Sequence, residues 1–188
     1  MSPIDAEGRP EQTIRRLSTR TVYENRWMSV REDAIVRPDG STGVYGVVDK
    51  PDFALIIPAE RGGFHLVEQY RYAVAARSWE FPQGTYADRR DGDPAELARL
   101  ELAEETGFSA DHLEHLGHLY QGPGHSSQGM NVFLATGLKP GTARREAEEQ
   151  DMRQRWVTRD ELEEMIRRGA MRDSSSIAAY ALLLLRER

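Results

Sequence analysis

The stretch that decides the fold is LELAEETGF, residues 100–108, which carries Glu101, Glu104 and Glu105 and then Gly107. At about 100° per residue, an α-helix would hold the three carboxylates within an arc of roughly 100° on one face. Like charges at this spacing repel, and anions near the end of a helix oppose its dipole. Helix stability therefore does not explain the arrangement, which leaves a solvated acidic face or a cation site as the two interpretations.

The residues before this stretch favour the cation site. WEFPQG, residues 79–84, predicts a strand end followed by a turn at Gly84, and Pro94 predicts the start of a helix that runs to about Thr106 and stops at Gly107. Mg²⁺ and Mn²⁺ prefer carboxylate oxygens and retain water ligands. A strand, a glycine loop and an acidic helix in this order predict a site for a metal-bound diphosphate.

The remaining elements predict an α+β fold. Alternating apolar residues on both sides of RPDGS indicate a hairpin over about residues 18–50, and FALIIPAE with GFHLVEQYR indicates a second one. Three further strands, a helix closed by Gly169 and a last helix capped by Asp173 or Ser174 follow the acidic helix. Many strands around one internal and two terminal helices predict a layered α/β arrangement.

Composition narrows the function classes. The chain has 188 residues, a net charge of -6, 39% hydrophobic residues and no cysteine. One domain is expected, while disulfides, thiol catalysis and Cys-ligated zinc are excluded. The acidic balance argues against a nucleic-acid partner, and the longest apolar run, residues 178–185, is too short to cross a membrane. The polar start contains no signal peptide, so we expect a cytoplasmic enzyme.

Gly84 and the run from Glu101 to Phe108 resemble the signature of the Nudix hydrolases, which ends in Arg-Glu-apolar-x-Glu-Glu-x-Gly-apolar. The resemblance implies an α/β/α sandwich around a mixed sheet, with Mg²⁺ or Mn²⁺ as cofactor. It also implies that Glu101, Glu105 and the Gln83 backbone carbonyl are metal ligands. By the same resemblance, Glu104 is expected to be a further metal ligand or a supporting catalytic acid.

Two features depart from that signature. Leu100 occupies the arginine position, and the spacing from Gly84 is two residues longer, so the early glutamate falls on Gly92. We expect a remodelled loop before the helix. Arg99 points about 100° away from Leu100 and is not expected to substitute for the missing arginine.

A longer resemblance covers about residues 18–187 and points to the ADP-ribose pyrophosphatase branch. Its motifs are QYRYAVAARSWEFPQG, a proline at Pro123, 15 residues after Phe108, and EAEEQDMRQRWVTRDELEEMI. This branch hydrolyses the diphosphate bond of a nucleoside diphosphate linked to a further group. ADP-ribose would give AMP and ribose 5-phosphate.

The same resemblance assigns substrate contacts. Arg71 would clamp the diphosphate, or else form a surface salt bridge, and Glu80 would be an acid on the substrate or metal side. Trp27 would stack on the base, or else lie in the core, and Pro123 marks the substrate loop.

The general base is expected in the loop before the last strand. Glu148, with Glu149 second, is the candidate, and a charged surface loop is the alternative. Three histidines recur at every third residue after the acidic helix: His112, His115 and His118. On a strand this spacing alternates between the two faces, so they are interpreted as structural.

The predicted organisation is a tail over residues 1–12, an N-terminal β extension over 13–50 that forms a homodimer, and a Nudix domain over 51–188. Three other functions stay open: an ADP-sugar or GDP-sugar pyrophosphatase, a hydrolase of dinucleoside polyphosphates or oxidised nucleotides, and a nucleotide-binding module with weakened catalysis. Leu100 and Gly92 favour the binding module, whereas the three retained glutamates oppose it.

Overall fold

The structure is a computed structural model that describes residues 14–86, 92–145 and 150–188. Within these ranges seven strands precede the first α-helix, and two α-helices follow the last strand. In chain order they are β1 (Arg15–Glu24), β2 (Ser29–Val36), β3 (Thr42–Asp49), β4 (Phe53–Glu60), β5 (Gly63–Arg71), β6 (Ala76–Glu80), β7 (Gln83–Gly84), α1 (Pro94–Glu101), β8 (Phe108–Tyr120), β9 (Gly129–Pro140), β10 (Arg153–Thr158), α2 (Arg159–Arg167) and α3 (Ser174–Arg186).

The N-terminal sheet is antiparallel, in the order β1-β2-β3. The predicted hairpin is wrong in one respect, because its first arm is two strands rather than one. The Asn25 side-chain oxygen accepts hydrogen bonds from the backbone N–H groups of Trp27 and Met28, both at 2.9 Å. This side-chain acceptor closes a turn that reverses the chain between β1 and β2.

The main sheet is mixed and has the order β10-β5-β4-β9-β8, with β6 added to β5 and β7 added to β4. β4 and β9 run parallel at its centre, and their neighbours are antiparallel. The short β7 strand pairs with β4, and α1 is the next element in the chain. This placement brings the glycine turn and the acidic helix to one end of the sheet.

Alternate residues of β4 pack on opposite faces of the sheet. Leu55 and Ile57 pack with α2 and α3, whereas Ala54 and Ile56 pack with α1. All four are fully buried, as expected for a strand covered on both sides. The predicted α/β/α sandwich is therefore confirmed. No helix in the described part of the chain is long and apolar enough to span a membrane.

The acidic helix begins and stops where predicted, but its last turn is not α-helical. Asp93 caps it by accepting a backbone hydrogen bond at 2.9 Å, and Pro94 occupies its first turn. Leu102–Thr106 then form a π-helical turn instead of continuing the α-helix. Gly107 stops the helix with φ 76°, as predicted, in a left-handed conformation that glycine adopts without strain.

Candidate active site

The glycine turn and the acidic helix meet at Gly84. A Cβ atom at this position would lie 2.5 Å from the Glu101 carboxyl carbon, so a side chain here would displace the carboxylate. Gly84 pairs with Ala54, and Gln83 with Leu55, which fixes the turn against β4. The absence of a side chain at Gly84 lets the Glu101 carboxylate lie against the backbone of the turn.

The acidic residues of the helix are not a solvated face. Glu105 has no exposed surface, Glu101 is 7% exposed and Glu104 is half-buried. Burying a carboxylate costs free energy on the order of several kcal/mol unless positive charge or hydrogen bonds compensate. The π-helical turn begins directly after Glu101 and contains both Glu104 and Glu105. Helices with such turns occur frequently at functional sites.

An ion pair connects β5 to the end of β6. Arg71 Nη2 lies 2.7 Å from Glu80 Oε2, and Arg71 Nε lies 3.1 Å from Oε1, which is a bidentate geometry. Glu80 is 1% exposed, whereas the Arg71 side chain retains 42% exposure. Arg71 therefore forms a salt bridge in which one partner is buried and the other opens to solvent, and its contact with a diphosphate stays a prediction.

The pKa values of both side chains in this pair are raised. Burial raises the pKa of Glu80, and the charge of Arg71 offsets only part of that effect, while the charge of Asp173 adds to it. Burial lowers the pKa of Arg71, but the charges of Glu80, Asp173 and Glu105 outweigh it and leave the pKa raised. Arg71 therefore lies within the field of the buried Glu105 as well as that of its direct partner.

A cleft of about 950 Å³ opens beside this ion pair. Glu80, Gln83 and Gly84 line it, together with the N-terminal turn of α3. Four basic side chains also line it: Lys50, Arg71, Arg77 and Arg172. An anionic ligand in this cleft would meet positive charge while touching the glycine turn beside Glu101.

Lys50 is a cleft residue that no sequence motif indicated. It follows the last residue of β3, and its pKa is lowered by burial and then by the charge of Arg71. No carboxylate among the described residues pairs with it, whereas Arg77 is bound to Glu68 at 2.9 Å. Rarity was the only signal in the sequence, since Lys50 is one of two lysines in the chain.

Other predicted residues lie away from the cleft lining. Trp27 is 55% exposed with the Arg26 guanidinium 4.2 Å from its ring centre, so the core alternative is wrong. Pro123 is exposed, and its loop contributes Gln121 and Gln128 to the cleft instead. Glu148 and Glu149 lie outside the described residues.

The described residues fit a divalent ion only in part. No group of three acidic or histidine side chains in residues 14–86, 92–145 and 150–188 is gathered as a metal site. The buried carboxylates of Glu101 and Glu105 and the carbonyl of Gln83 are nevertheless the hard oxygen donors that Mg²⁺ and Mn²⁺ prefer. The space left by Gly84 lies against one of these carboxylates. Substrate oxygens and water would complete the coordination, as is usual for Mg²⁺.

Comparison with known proteins identifies the family. A sequence model of the NUDIX domain matches residues 49–180. This chain belongs to the Nudix family. A second model, of the nucleoside diphosphate sugar hydrolase N-terminal domain, matches residues 14–48. The resemblance drawn from the Nudix signature is confirmed, and the chain is a pyrophosphohydrolase by class.

Two relatives and one solved structure illustrate the similarity. An ADP-ribose pyrophosphatase of Mycobacterium tuberculosis (strain ATCC 25618 / H37Rv) is 31% identical over 171 residues, which cover 89% of this chain and 82% of the relative. A CMP-5'-(N-acetyl-N-hydroxy-3-aminopropyl)phosphonate hydrolase of Streptomyces rubellomurinus (strain ATCC 31215) is 32% identical over 168 residues, covering 87% and 78%. An ADP compounds hydrolase structure superposes with a TM-score of 0.80 at 23% identity, covering 94% of each chain, and shares the Nudix fold.

The two departures from the Nudix signature have structural counterparts. Leu100 is 40% exposed, and Arg99 donates a hydrogen bond to the Ala110 carbonyl at 3.2 Å, so Arg99 points to β8 rather than to the acids. Gly92 lies against the Tyr86 ring, and the Tyr86 hydroxyl donates to the Asp93 carbonyl at 2.9 Å. Tyr86 is thus hydrogen-bonded to the residue that caps α1.

Replacing Lys50 with methionine should weaken anion binding without destabilising the fold. A folded-state pKa below the unfolded value means that protonated Lys50 is less favourable in the folded chain, so at neutral pH its removal should leave the Tm unchanged or raised. Loss of its charge should weaken binding of a nucleoside diphosphate about tenfold. Calorimetry and thermal denaturation measure the two effects.

Lys139→Met is the matched control, because Lys139 is the other lysine and pairs with Asp111 on the exposed part of β9. It should leave nucleotide affinity unchanged. Equal affinities for the Lys50 variant and the wild type would remove Lys50 from the binding site.

Proposed function

We propose that this Nudix chain hydrolyses ADP-ribose to AMP and ribose 5-phosphate in the presence of Mg²⁺ or Mn²⁺. The observation that supports this most directly is the cleft in which Lys50 and Arg71 lie beside the Gly84 turn and its neighbouring carboxylate. Two cations suit a diphosphate, and buried carboxylates suit the metal that accompanies it. The 31% identical ADP-ribose pyrophosphatase supports the choice of substrate.

Arg71 is proposed to bind the diphosphate. Glu80 accepts hydrogen bonds from Nε and Nη2, so the Nη1 side of the guanidinium is not used by this carboxylate. A planar guanidinium held in this way can present paired donors to phosphate oxygens. Lys50 would bind a second oxygen as a point charge. The exposed Trp27 is proposed to stack on the base of the substrate when a second copy of the chain covers the N-terminal sheet.

The metal is proposed to be held by Glu101, Glu105 and the Gln83 carbonyl. Such an ion neutralises diphosphate oxygens and makes a bound water more acidic. Glu104, which is half-buried, is proposed as a supporting acid. These residues hold charge and water close to the phosphorus, which is the main contribution of a protein to phosphoryl transfer.

A general base has to take the proton of the attacking water. The water oxygen bonds to one phosphorus, the bond from that phosphorus to the bridging oxygen breaks, and the water proton passes to a carboxylate. We propose Glu148 for this role, with Glu149 as second choice. Both follow Arg145 in the sequence, and the Arg145 guanidinium donates to the Glu105 carbonyl at 3.2 Å, which supports this choice.

A second candidate substrate is a CMP-linked phosphonate. The Streptomyces relative with this name is 32% identical to the chain, slightly above the ADP-ribose pyrophosphatase. Both substrates carry a nucleotide phosphate linked to a further group, so the same cations would serve either. The base and the departing group distinguish them, as they distinguish ADP-sugars and GDP-sugars.

The test is a substrate panel with the purified protein and Mg²⁺ or Mn²⁺. It contains ADP-ribose, ADP-glucose, GDP-mannose, a CMP-linked phosphonate, NADH, diadenosine polyphosphates and 8-oxo-dGTP, with nucleotide products resolved by chromatography. AMP formed fastest from ADP-ribose is the expected result. Fastest release of CMP or GMP would replace the proposed substrate. Nucleotide binding without any hydrolysis would leave a binding module.

Replacing Glu105 with glutamine should abolish most turnover while sparing the fold. The change keeps the shape and removes a buried charge that would otherwise hold the metal, so kcat should fall by about a hundredfold or more. Thermal stability should stay close to wild type, because Glu105 lies among other acids and loses a burial cost. A wild-type rate would remove Glu105 from the proposed metal site.

We propose that the chain is a homodimer in the cytoplasm. The N-terminal sheet and its flanks expose several large apolar side chains: Ile14, Leu17, Val22, Tyr23, Trp27 and Val44. Such a surface is larger than scattered exposed residues usually make, and a second copy would cover it together with the sheet edge. The absence of cysteine supports a reducing compartment.

Light scattering of the purified protein should therefore give about twice the chain mass of 21.3 kDa. Leu17→Asp, on the exposed face of β1, should shift the protein toward the monomer. The exposed Leu185→Asp at the end of α3 is the control and should not. A monomeric wild type at micromolar concentration would contradict the proposal.

A further inference from the structure

We infer that the Gln83 side chain is a positioning residue that aims Arg71 into the cleft by holding Glu80. This role belongs to the side-chain amide and is separate from the backbone carbonyl of the same residue. The inference rests on the proposed function in one respect, since it requires Arg71 to bind the diphosphate. It goes further because it makes the orientation of Arg71 depend on the hydrogen bond between Gln83 and Glu80.

One amide nitrogen joins two carboxylates. Gln83 Nε2 lies 2.9 Å from Glu80 Oε2 and 3.1 Å from Asp173 Oδ2. An amide nitrogen carries two hydrogens, so each carboxylate receives one of them. The same Glu80 oxygen receives Arg71 Nη2 at 2.7 Å. Contacts therefore run from Asp173 through Gln83 and Glu80 to Arg71, and end at the cleft.

The far end of this chain of contacts is anchored to α3. Asp173 caps the helix, and its Oδ2 accepts from the Ser176 backbone N–H at 2.8 Å and from the Ser176 hydroxyl at 2.7 Å. The Ser176 hydroxyl oxygen in turn accepts from the backbone N–H of Phe81 at 2.9 Å. Ser176 has no exposed surface. The segment between Glu80 and Gln83 is thus tied twice to the start of one helix.

The carboxylates of Glu80 and Asp173 need a hydrogen-bond donor between them. Glu80 is almost fully buried, and the charge of Asp173 acts on it unfavourably. With the amide in place, each oxygen that faces the other carboxylate accepts a hydrogen bond instead of meeting a like charge. Without it, Glu80 would lose a partner in a region where unsatisfied polar atoms are costly, and its bidentate hold on Arg71 would loosen.

Calorimetric titration with ADP as the probe, in the presence of Mg²⁺, tests this inference. Gln83→Leu keeps the backbone carbonyl and removes the bridging amide. We expect about a tenfold rise in the Kd for ADP, because the guanidinium loses its fixed orientation. A Kd equal to that of the wild type would overturn the inference.

Tyr180→Phe separates positioning from simple loosening of α3. Tyr180 lies on the same helix and donates a hydrogen bond to Glu163 at 2.8 Å, away from the cleft lining. Both variants should lower the Tm, but Tyr180→Phe should leave the Kd for ADP unchanged. A similar rise in Kd for both variants would mean that Gln83 acts through the stability of α3 alone.

A double-mutant cycle tests the route through Arg71. If Gln83 acts by aiming Arg71, then adding Gln83→Leu to Arg71→Ala should change the Kd for ADP by less than about twofold. A full tenfold effect in that background would show that Gln83 acts by another route and would overturn the inference. This outcome is independent of which nucleotide the enzyme hydrolyses.

Variants at Asp173 test the anchor. Asn keeps an oxygen acceptor and is a good helix cap, so Asp173→Asn should retain ADP binding close to wild type. Asp173→Ala removes the acceptor for Gln83 and should raise the Kd about as much as Gln83→Leu. Failure to hydrolyse ADP-ribose would refute the proposed substrate, whereas equal ADP binding by all of these variants would refute the positioning role.

Discussion

Three carboxylates are buried in the active-site region of this fold, and that region depends on how their burial is compensated. Glu80, Glu101 and Glu105 are all at least nine-tenths buried, and Arg71 lies in the field of two of them. The backbone at Gly84 leaves space for one carboxylate, and the ion pair stabilises another. A charged carboxylate is costly to bury, so a divalent ion bound beside these residues would offset part of that cost, and its affinity would depend on their burial.

Features with local signals were predictable from the sequence. Pro94 and Gly107 bound the acidic helix as expected, because both act through their own backbone conformations. The turn at Asn25 was missed because its side-chain acceptor competes with strand pairing inside an apparently continuous β pattern. The π-helical turn over Leu102–Thr106 was missed because five residues are too few for helical periodicity to distinguish it from an α-helix.

The site was predictable only where the residues carry a motif. Arg71 was found through resemblance, whereas Lys50 and Asp173 were not, because the end of β3 and the start of α3 meet through the topology of the whole chain. Residue type at Lys50 gave no indication of its depressed pKa, which arises from burial beside another cation. Trp27 and Pro123 lie away from the cleft lining, and their substrate contacts stay predictions.

The N-terminal sheet docks on a loop that lines the site. The Val48 backbone N–H donates to the His125 carbonyl at 2.8 Å, and the Tyr45 hydroxyl donates to the Gly124 carbonyl at 2.8 Å, which docks β3 on the loop before β9. This docking holds Lys50 at the cleft. The acidic helix can therefore stay unchanged while the sheet and loop alter the cleft. The N-terminal sheet and the acidic helix also match two separate sequence models, over residues 14–48 and 49–180, which agrees with this division of the chain.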